Sequence, residues 1–232
     1  MKRVVDPEIL DVLPDRDARA LDSRRDIHRL NLVMGNLRTL CSLLPDSPDG
    51  RTPRRIVELG AGDGIFALRF ARQLARRWPG AHMVLVDTKD VITHETRRQF
   101  AALGWTVEVV ITDVFDWLHA TGKEPADLIT ANLFLHQFPE PQLTEMLRLA
   151  ADRTRLFAAC EPRRSRIALT LSRMVGFIGC NDVTRHDAAV SVRAGFRTGD
   201  LSRLWPARSQ WRLQEREAWL THSFVARRVN GP

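Results

Sequence analysis

The residues Val57, Glu58, Leu59, Gly60, Ala61, Gly62, Asp63, Gly64 and Ile65 set three glycines at every second position, directly behind an apolar run that carries one acid. Glycines at a strand-to-helix turn let the backbone bend sharply and approach a ligand with no side chain between them. A dinucleotide loop needs its third glycine five positions after the first, so that the helix can pack and receive a pyrophosphate. Position 65 is isoleucine. The pattern is therefore ExGxGxG, and the carboxylate of Glu58 would repel a phosphate. A zwitterionic or cationic ligand suits the loop better.

Further acids recur at comparable places. The apolar run Met83 to Val86 ends in Asp87, whose carboxylate can accept both hydroxyls of a ribose. The next run ends in Thr112, Asp113, Val114 and Phe115, and a fourth delivers Asp127 to Ala131 followed by Asn132, Leu133, Phe134, Leu135 and His136. Taken singly, Asp87 and Asp113 could be helix N-caps, and the glycine turn could be only a turn. Their coincidence at successive strand ends favours a binding edge.

Positioning these groups requires a sheet. Short β-like runs alternate with helical patterns, which is the mark of βαβ units and a parallel sheet. Strands are expected over Arg55–Leu59, Met83–Asp87, Val107–Ile111, Leu128–Ala131 and Leu156–Cys160, with helices over Ile65–Arg77, Thr93–Leu103, Val114–His119 and Glu140–Arg153. The alternating runs Trp211–Trp219 and Ser223–Arg228 suggest a closing antiparallel hairpin turning near Leu220–His222. The expected fold class is α/β: a Rossmann-like, mostly parallel seven-stranded sheet with a C-terminal hairpin, preceded by an N-terminal helical segment. That segment, residues 1–50, is divided from a domain over 51–232 by the breaker-rich stretch Pro45–Pro53. Leu21, Ile27, Leu30, Val33, Met34, Leu37 and Leu40 follow helical spacing, and Leu30, Val33, Met34 and Leu37 read as core. The segment could close over a pocket as a lid or pair with a second copy. Arg29 and Asn31 are candidates for a polar pocket edge, and His28 for the surface.

From Arg54 onward the chain resembles the class I S-adenosylmethionine-dependent methyltransferases, closest to the small-molecule branch that includes quinone-ring and polyketide-tailoring enzymes. The ExGxGxG loop, Asp87, Asp113, the NLFLHQF stretch and the strand end Ala159, Cys160, Glu161, Pro162 carry the likeness. The glycine-rich turn common before the fifth strand in that branch is replaced by Asp152, Arg153 and Thr154. The resemblance implies that Glu58, Gly60, Ala61, Gly62 and Gly64 cradle the methionine and ribose of S-adenosyl-L-methionine. It implies further that Asp87 holds the ribose diol, that Asp113 and the Val114 amide read adenine, and that the Asn132 backbone lies by the methionine amine. Such a cofactor brings its own reactive methyl, so the protein needs chiefly to align an acceptor, helped by a base if the acceptor is a hydroxyl. His136, after the fourth strand, and His186, in the polar segment Asn181–Asp187, are the catalytic candidates, with Arg185 and Asp187 as acceptor contacts. The alternatives are a structural histidine for His136, and for His186 a cap cluster in which Asp182 or Thr184 caps the following helix.

Composition bounds these expectations. The 232 residues, 44% apolar and 27% charged, suit one packed domain with a modest extension. No apolar stretch reaches the roughly 20 residues of a membrane span. The start Met1, Lys2, Arg3 runs into Asp6, Glu8 and Asp11 rather than an apolar leader, so a cytoplasmic protein is expected. The net charge of +7 comes almost wholly from arginines scattered beside acids, which makes a nucleic-acid groove the lesser reading. Three separated cysteines and no His/Cys/carboxylate cluster indicate reduced thiols and no metal. The expected reaction is methyl transfer to a small, partly apolar acceptor, with a phenolic or enolic oxygen ahead of an activated ring carbon. Methylation of RNA, DNA or protein, and a non-catalytic cofactor-binding regulator, are the rivals.

Overall fold

The computed structural model describes residues 1–45, 52–120 and 124–229. Most of the expected linker, Asp46–Arg51, lies outside them. In chain order the elements are α1 (Ile9–Val12), α2 (Ala18–Met34), α3 (Asn36–Leu43), β1 (Arg55–Leu59), α4 (Ile65–Leu74), β2 (His82–Asp87), α5 (His94–Ala102), β3 (Thr106–Ile111), α6 (Val114–His119), β4 (Ala126–Asn132), α7 (Glu140–Arg153), β5 (Thr154–Pro162), α8 (Arg166–Arg173), α9 (Asp182–Ala194), α10 (Asp200–Leu204), β6 (Trp211–Glu217) and β7 (Thr221–Arg228).

The strands form one seven-stranded sheet in the order β3-β2-β1-β4-β5-β7-β6. The first five run parallel, and β7 pairs antiparallel with both β5 and β6. Alternate residues of each central strand feed two cores. Val57, Val84, Ile129 and Phe157 face α6, α7 and α10, whereas Ile56, Met83, Leu128 and Leu156 face α3, α4 and α5. Burial on both faces explains why β1, β2, β4 and β5 read as largely continuous apolar runs, whereas the edge strand β3 carries Glu108. Strand order reverses at β1, which lies between β2 and β4, and the crevice beyond the carboxyl ends there is where open α/β sheets take ligands.

The expected elements recur with shifts at their ends. Helix α4 stops at Leu74 rather than Arg77, and β6 stops at Glu217, so Trp219 lies in the turn and is 82% exposed. The N-terminal stripe is two helices because Gly35, at φ 67°, takes the left-handed conformation between α2 and α3. Leu40 of α3 reaches the core, and Leu37, expected there, packs against it. Helix α2 departs from expectation. Its buried face is polar, with Ser23, Asp26 and Asn31, while Val33 is 67% exposed. Ser23 and Asp26 meet Thr184 of α9 at 2.9 and 3.2 Å, and Asp26 also accepts from the Asn181 amide at 2.9 Å. Helix α9 is capped by Asn181, not by Asp182 or Thr184: its side chain accepts from the Thr184 amide at 2.8 Å.

Candidate active site

The carboxyl ends of β1 to β4 open into one cavity of about 940 Å³, lined by Glu58, Gly60, Ala61, Gly62, Asp87, Asp113, Val114, Asn132 and His136 among others. The glycine loop is pinned from below. The amides of Gly60 and Ala61 both donate to the Val86 carbonyl, at 2.9 and 3.1 Å, and Gly62 donates to Asp87 Oδ2 at 2.7 Å. Asp87 Oδ1 accepts from the Lys89 amide at 2.9 Å, so one carboxylate sets both the loop and the strand end. A side chain on Gly60 would strike the Phe134 ring, whereas at Gly62 nothing lies within 4 Å and the backbone faces open space. Gly64, at φ 74°, turns the chain into α4 but is not on the cavity wall.

Two observations test whether these residues suit an S-adenosyl sulfonium. Glu58 is 2% exposed, and its Oε2 has no hydrogen-bond partner. Burial pushes its carboxyl up to about 8. A buried, partnerless carboxyl beside a bare glycine cradle is what an ammonium-bearing ligand would satisfy. The residues present fit the group. Asp113 caps α6, accepting from the Phe115 amide at 2.7 Å. Asn132 joins an asparagine cluster: its side chain donates to Asn31 Oδ1 at 3.1 Å and accepts from Asn36 at 3.0 Å, which ties β4 to the N-terminal helices.

Beyond this edge the cavity turns apolar. Leu30, Val33 and Met34 of α2 form one wall, and Leu171, Met174, Val175, Phe177 and Ile178 after β5 form another. Leu30, Val33 and Met34 are therefore wall rather than core. His28, expected at the surface, also reaches the cavity and holds Asp63 Oδ2 at 2.8 Å. Asn31 lies on the wall, whereas Arg29 pairs outward with Asp26.

His136 is 3% exposed and bridges two carboxylates, with Nδ1 at 2.8 Å from Glu161 and Nε2 at 3.1 Å from Glu8. Glu161, fully buried, also accepts from the amides of Phe134 and Leu135 at 3.1 and 2.9 Å. Burial opposes a charge on His136, but the hydrogen bonds and charges of Glu161 and Glu8 outweigh it and lift the imidazole from 6.5 to about 10. A pKa raised on folding contributes stability that is complete below the unfolded value and is lost as pH climbs through the folded one. Urea midpoints of the wild type are thus expected to fall between about pH 6.5 and 10, and those of His136→Gln to fall less. Parallel curves would contradict the bridged ion.

The structure does not bring every candidate to the cavity. His186 is half-exposed, with Nδ1 at 2.9 Å from Asp187, and Arg185 packs over Gly176; neither is on the cavity wall. Asp187 is buried and on the wall, yet its oxygens accept from the amides of Ile9 and Leu10, at 2.9 and 3.0 Å, at the start of α1. Replacing Asp187 with alanine is expected to release the N-terminal segment, at a cost of about 1–3 kcal/mol for the orphaned amides. Faster proteolytic loss of residues 1–12 would show it, and unchanged proteolysis would refute it. Glu8, Asp11, Arg24 and Lys89 also line the cavity unannounced. The N-terminal residues carry no periodicity that could have signalled them.

Residues 56–155 match the family described as Methyltransferase domain. Trans-aconitate 2-methyltransferase of Mycolicibacterium gilvum is 34% identical over 92 residues, covering 40% of this chain and 31% of that protein. Its counterpart from Rhodococcus jostii is 33% identical over 100 residues, 43% of this chain and 34% of that one. The chain thus spans about a third of the length of these curated relatives. Among solved structures, an O-methyltransferase family protein from Burkholderia thailandensis superposes with a TM-score of 0.63 at 17% identity, covering 94% of this chain and 62% of that one. The magnesium protoporphyrin IX methyltransferase of Synechocystis, solved with bound SAH, superposes at 0.53 with 13% identity, covering 95% and 91%. Residues 56–155, which match that methyltransferase domain family, are the ones that supply the glycine loop, Asp87, Asp113 and Asn132.

Proposed function

We propose that the chain transfers the methyl group of S-adenosylmethionine to a hydroxyl of a small, partly apolar acceptor. The observation that carries this reading is continuity: one cavity joins the glycine loop and Asp87 to the apolar walls of α2 and α8. When bound, the cofactor supplies an electrophilic sulfonium methyl, so alignment and exclusion of water are the protein's main tasks. In this reading Asp87 takes the ribose diol, while Glu58, Gly60, Ala61 and Gly62 hold the amino-acid end. Asp113 and the Val114 amide face the adenine, the Asn132 backbone lies by the methionine amine, and His136 borders the transfer point. Gly64 shapes the turn. Asp187 acts on the acceptor through the N-terminal segment it anchors. The reading leaves out His186 and Arg185, whose side chains lie away from the cavity. Residues 1–50 serve as lid over the domain 51–232, and the exposed Leu21 and Leu32 of α2 offer a face for a second copy. A cytoplasmic setting would keep Cys41, Cys160 and Cys180 as the free thiols they are here.

Transfer of labelled methyl from S-adenosylmethionine across a panel of phenols and enols tests the reading, and no labelled product from any of them would contradict it. Glu58 adds a finer check. An ammonium arriving beside a carboxyl lifted to about 8 favours its ionised form. Binding near neutral pH should therefore release a proton, seen as a calorimetric heat that varies with the ionisation enthalpy of the buffer. A buffer-independent heat would count against Glu58 as the partner.

A further inference from the structure

The N-terminal segment is bound across the cavity mouth. Arg3 donates to the Ala194, His136 and Phe138 carbonyls at 2.7, 3.1 and 3.0 Å, Asp187 holds Ile9 and Leu10, and Lys89 Nζ donates to the Leu10 carbonyl at 3.2 Å. The segment thereby delivers Glu8 to His136 Nε2 at 3.1 Å, where its Oε1 also meets the Ser191 hydroxyl. The three side chains form a row leading outward: Glu161, fully buried and off the cavity wall; His136, on the wall; and Glu8, on the wall and the outermost. Both ring nitrogens of His136 are engaged by carboxylates, so neither offers a free lone pair to an incoming hydroxyl. With His136 protonated, two carboxylates and one imidazolium leave the row a net negative charge, and its outer end is Glu8.

The neighbours reinforce that sign. Asp11 and Asp187 share the wall with Glu8. The cations on or near it are engaged elsewhere: Lys89 lies 3.6 Å from Asp15, Arg24 lies 3.3 Å from Asp15, His28 lies 2.8 Å from Asp63, and Arg3 faces backbone carbonyls. A desolvated anion facing this acidic row is disfavoured, whereas a hydroxyl donor is welcomed.

Resting on the methyltransferase reading above, we propose that Glu8 is the catalytic residue that receives the acceptor's hydroxyl, and that it makes this site select neutral or cationic hydroxyl-bearing ring compounds over carboxylates. The step balances. The acceptor oxygen bonds to the methyl carbon as the carbon–sulfur bond breaks, sulfur keeps the electron pair as a neutral thioether, and the hydroxyl proton passes to Glu8. His136 and Glu161 position that carboxylate.

The test uses the full chain and labelled S-adenosylmethionine, with beta-naphthol and trans-aconitate as acceptors at equal concentration. The wild type is expected to methylate beta-naphthol at least tenfold faster than trans-aconitate. Glu8→Gln keeps the shape and an oxygen for His136. It is expected to lower kcat on beta-naphthol by about 100-fold, the scale of general-base catalysis, with cofactor affinity nearly unchanged. Glu8→Asp should restore part of the rate, which a merely structural role would not require. A preference for trans-aconitate, an undiminished rate in Glu8→Gln, or no transfer to either acceptor by a wild type that binds S-adenosylmethionine would overturn the proposal. A wild type that fails to bind S-adenosylmethionine would overturn the methyltransferase reading itself.

Discussion

Replacing Asp87 with alanine is expected to weaken S-adenosylmethionine binding by on the order of 100-fold or more. The carboxylate accepts from the Gly62 amide at 2.7 Å and from the Lys89 amide at 2.9 Å, so its loss frees the glycine loop as well as removing the acceptor for the ribose hydroxyls. Hydrogen bonds to a charged group contribute roughly 1.5–3 kcal/mol each, and two of them account for that factor or more. Asp87→Asn should fall between wild type and alanine, because one amide oxygen can still accept. Equilibrium binding of S-adenosylmethionine and of its demethylated product measures this, and an Asp87→Ala protein with wild-type affinity would remove the residue from the site.

The second large effect falls on stability. Gly60 has φ 68°, and a Cβ built there would lie 2.1 to 2.7 Å from three atoms of the Phe134 ring. That ring is held by Phe138, edge-on at 5.0 Å, which in turn meets Phe115 at 5.8 Å. Gly60→Ala therefore combines the left-handed backbone cost with overpacking, about 2–5 kcal/mol together. Gly62→Ala is the informative control. At φ 55° with open space around it, it carries only the backbone cost, about 1–2 kcal/mol. Urea denaturation of both proteins should rank them in that order, and equal losses would show that Phe134 yields without cost.

How far the sequence announced this molecule depends on which interactions set each part. The central strands β1, β2, β4 and β5 are legible because, covered on both faces, they are apolar over most of their length and end where polar loops begin. Asp87 and Asp113 are conspicuous for the same reason, as acids breaking such runs. Helix α2 departs from its spacing for the opposite reason. Spacing identified Leu30, Val33 and Met34 as one stripe, but it cannot say whether a stripe meets a core or a ligand cavity, and here Ser23, Asp26 and Asn31 take the packed side. The polar segment Asn181–Asp187 stands out by its composition as a source of acceptor contacts. Its groups act on the chain itself, however: Asn181 caps α9, Thr184 meets α2 and Asp187 holds α1. Glu8 was invisible, because four-residue α1 has no buried residue and its place is set by contacts more than a hundred positions away.

In the proposed arrangement an S-adenosyl sulfonium lies over the glycine loop with its ribose on Asp87. Titration calorimetry of the purified chain with S-adenosylmethionine and with S-adenosylhomocysteine is the decisive check. Saturable binding of both at one site per chain, lost in Asp87→Ala, is the expected result. Absence of binding by the wild type to either compound, or binding that survives intact in Asp87→Ala, would contradict it.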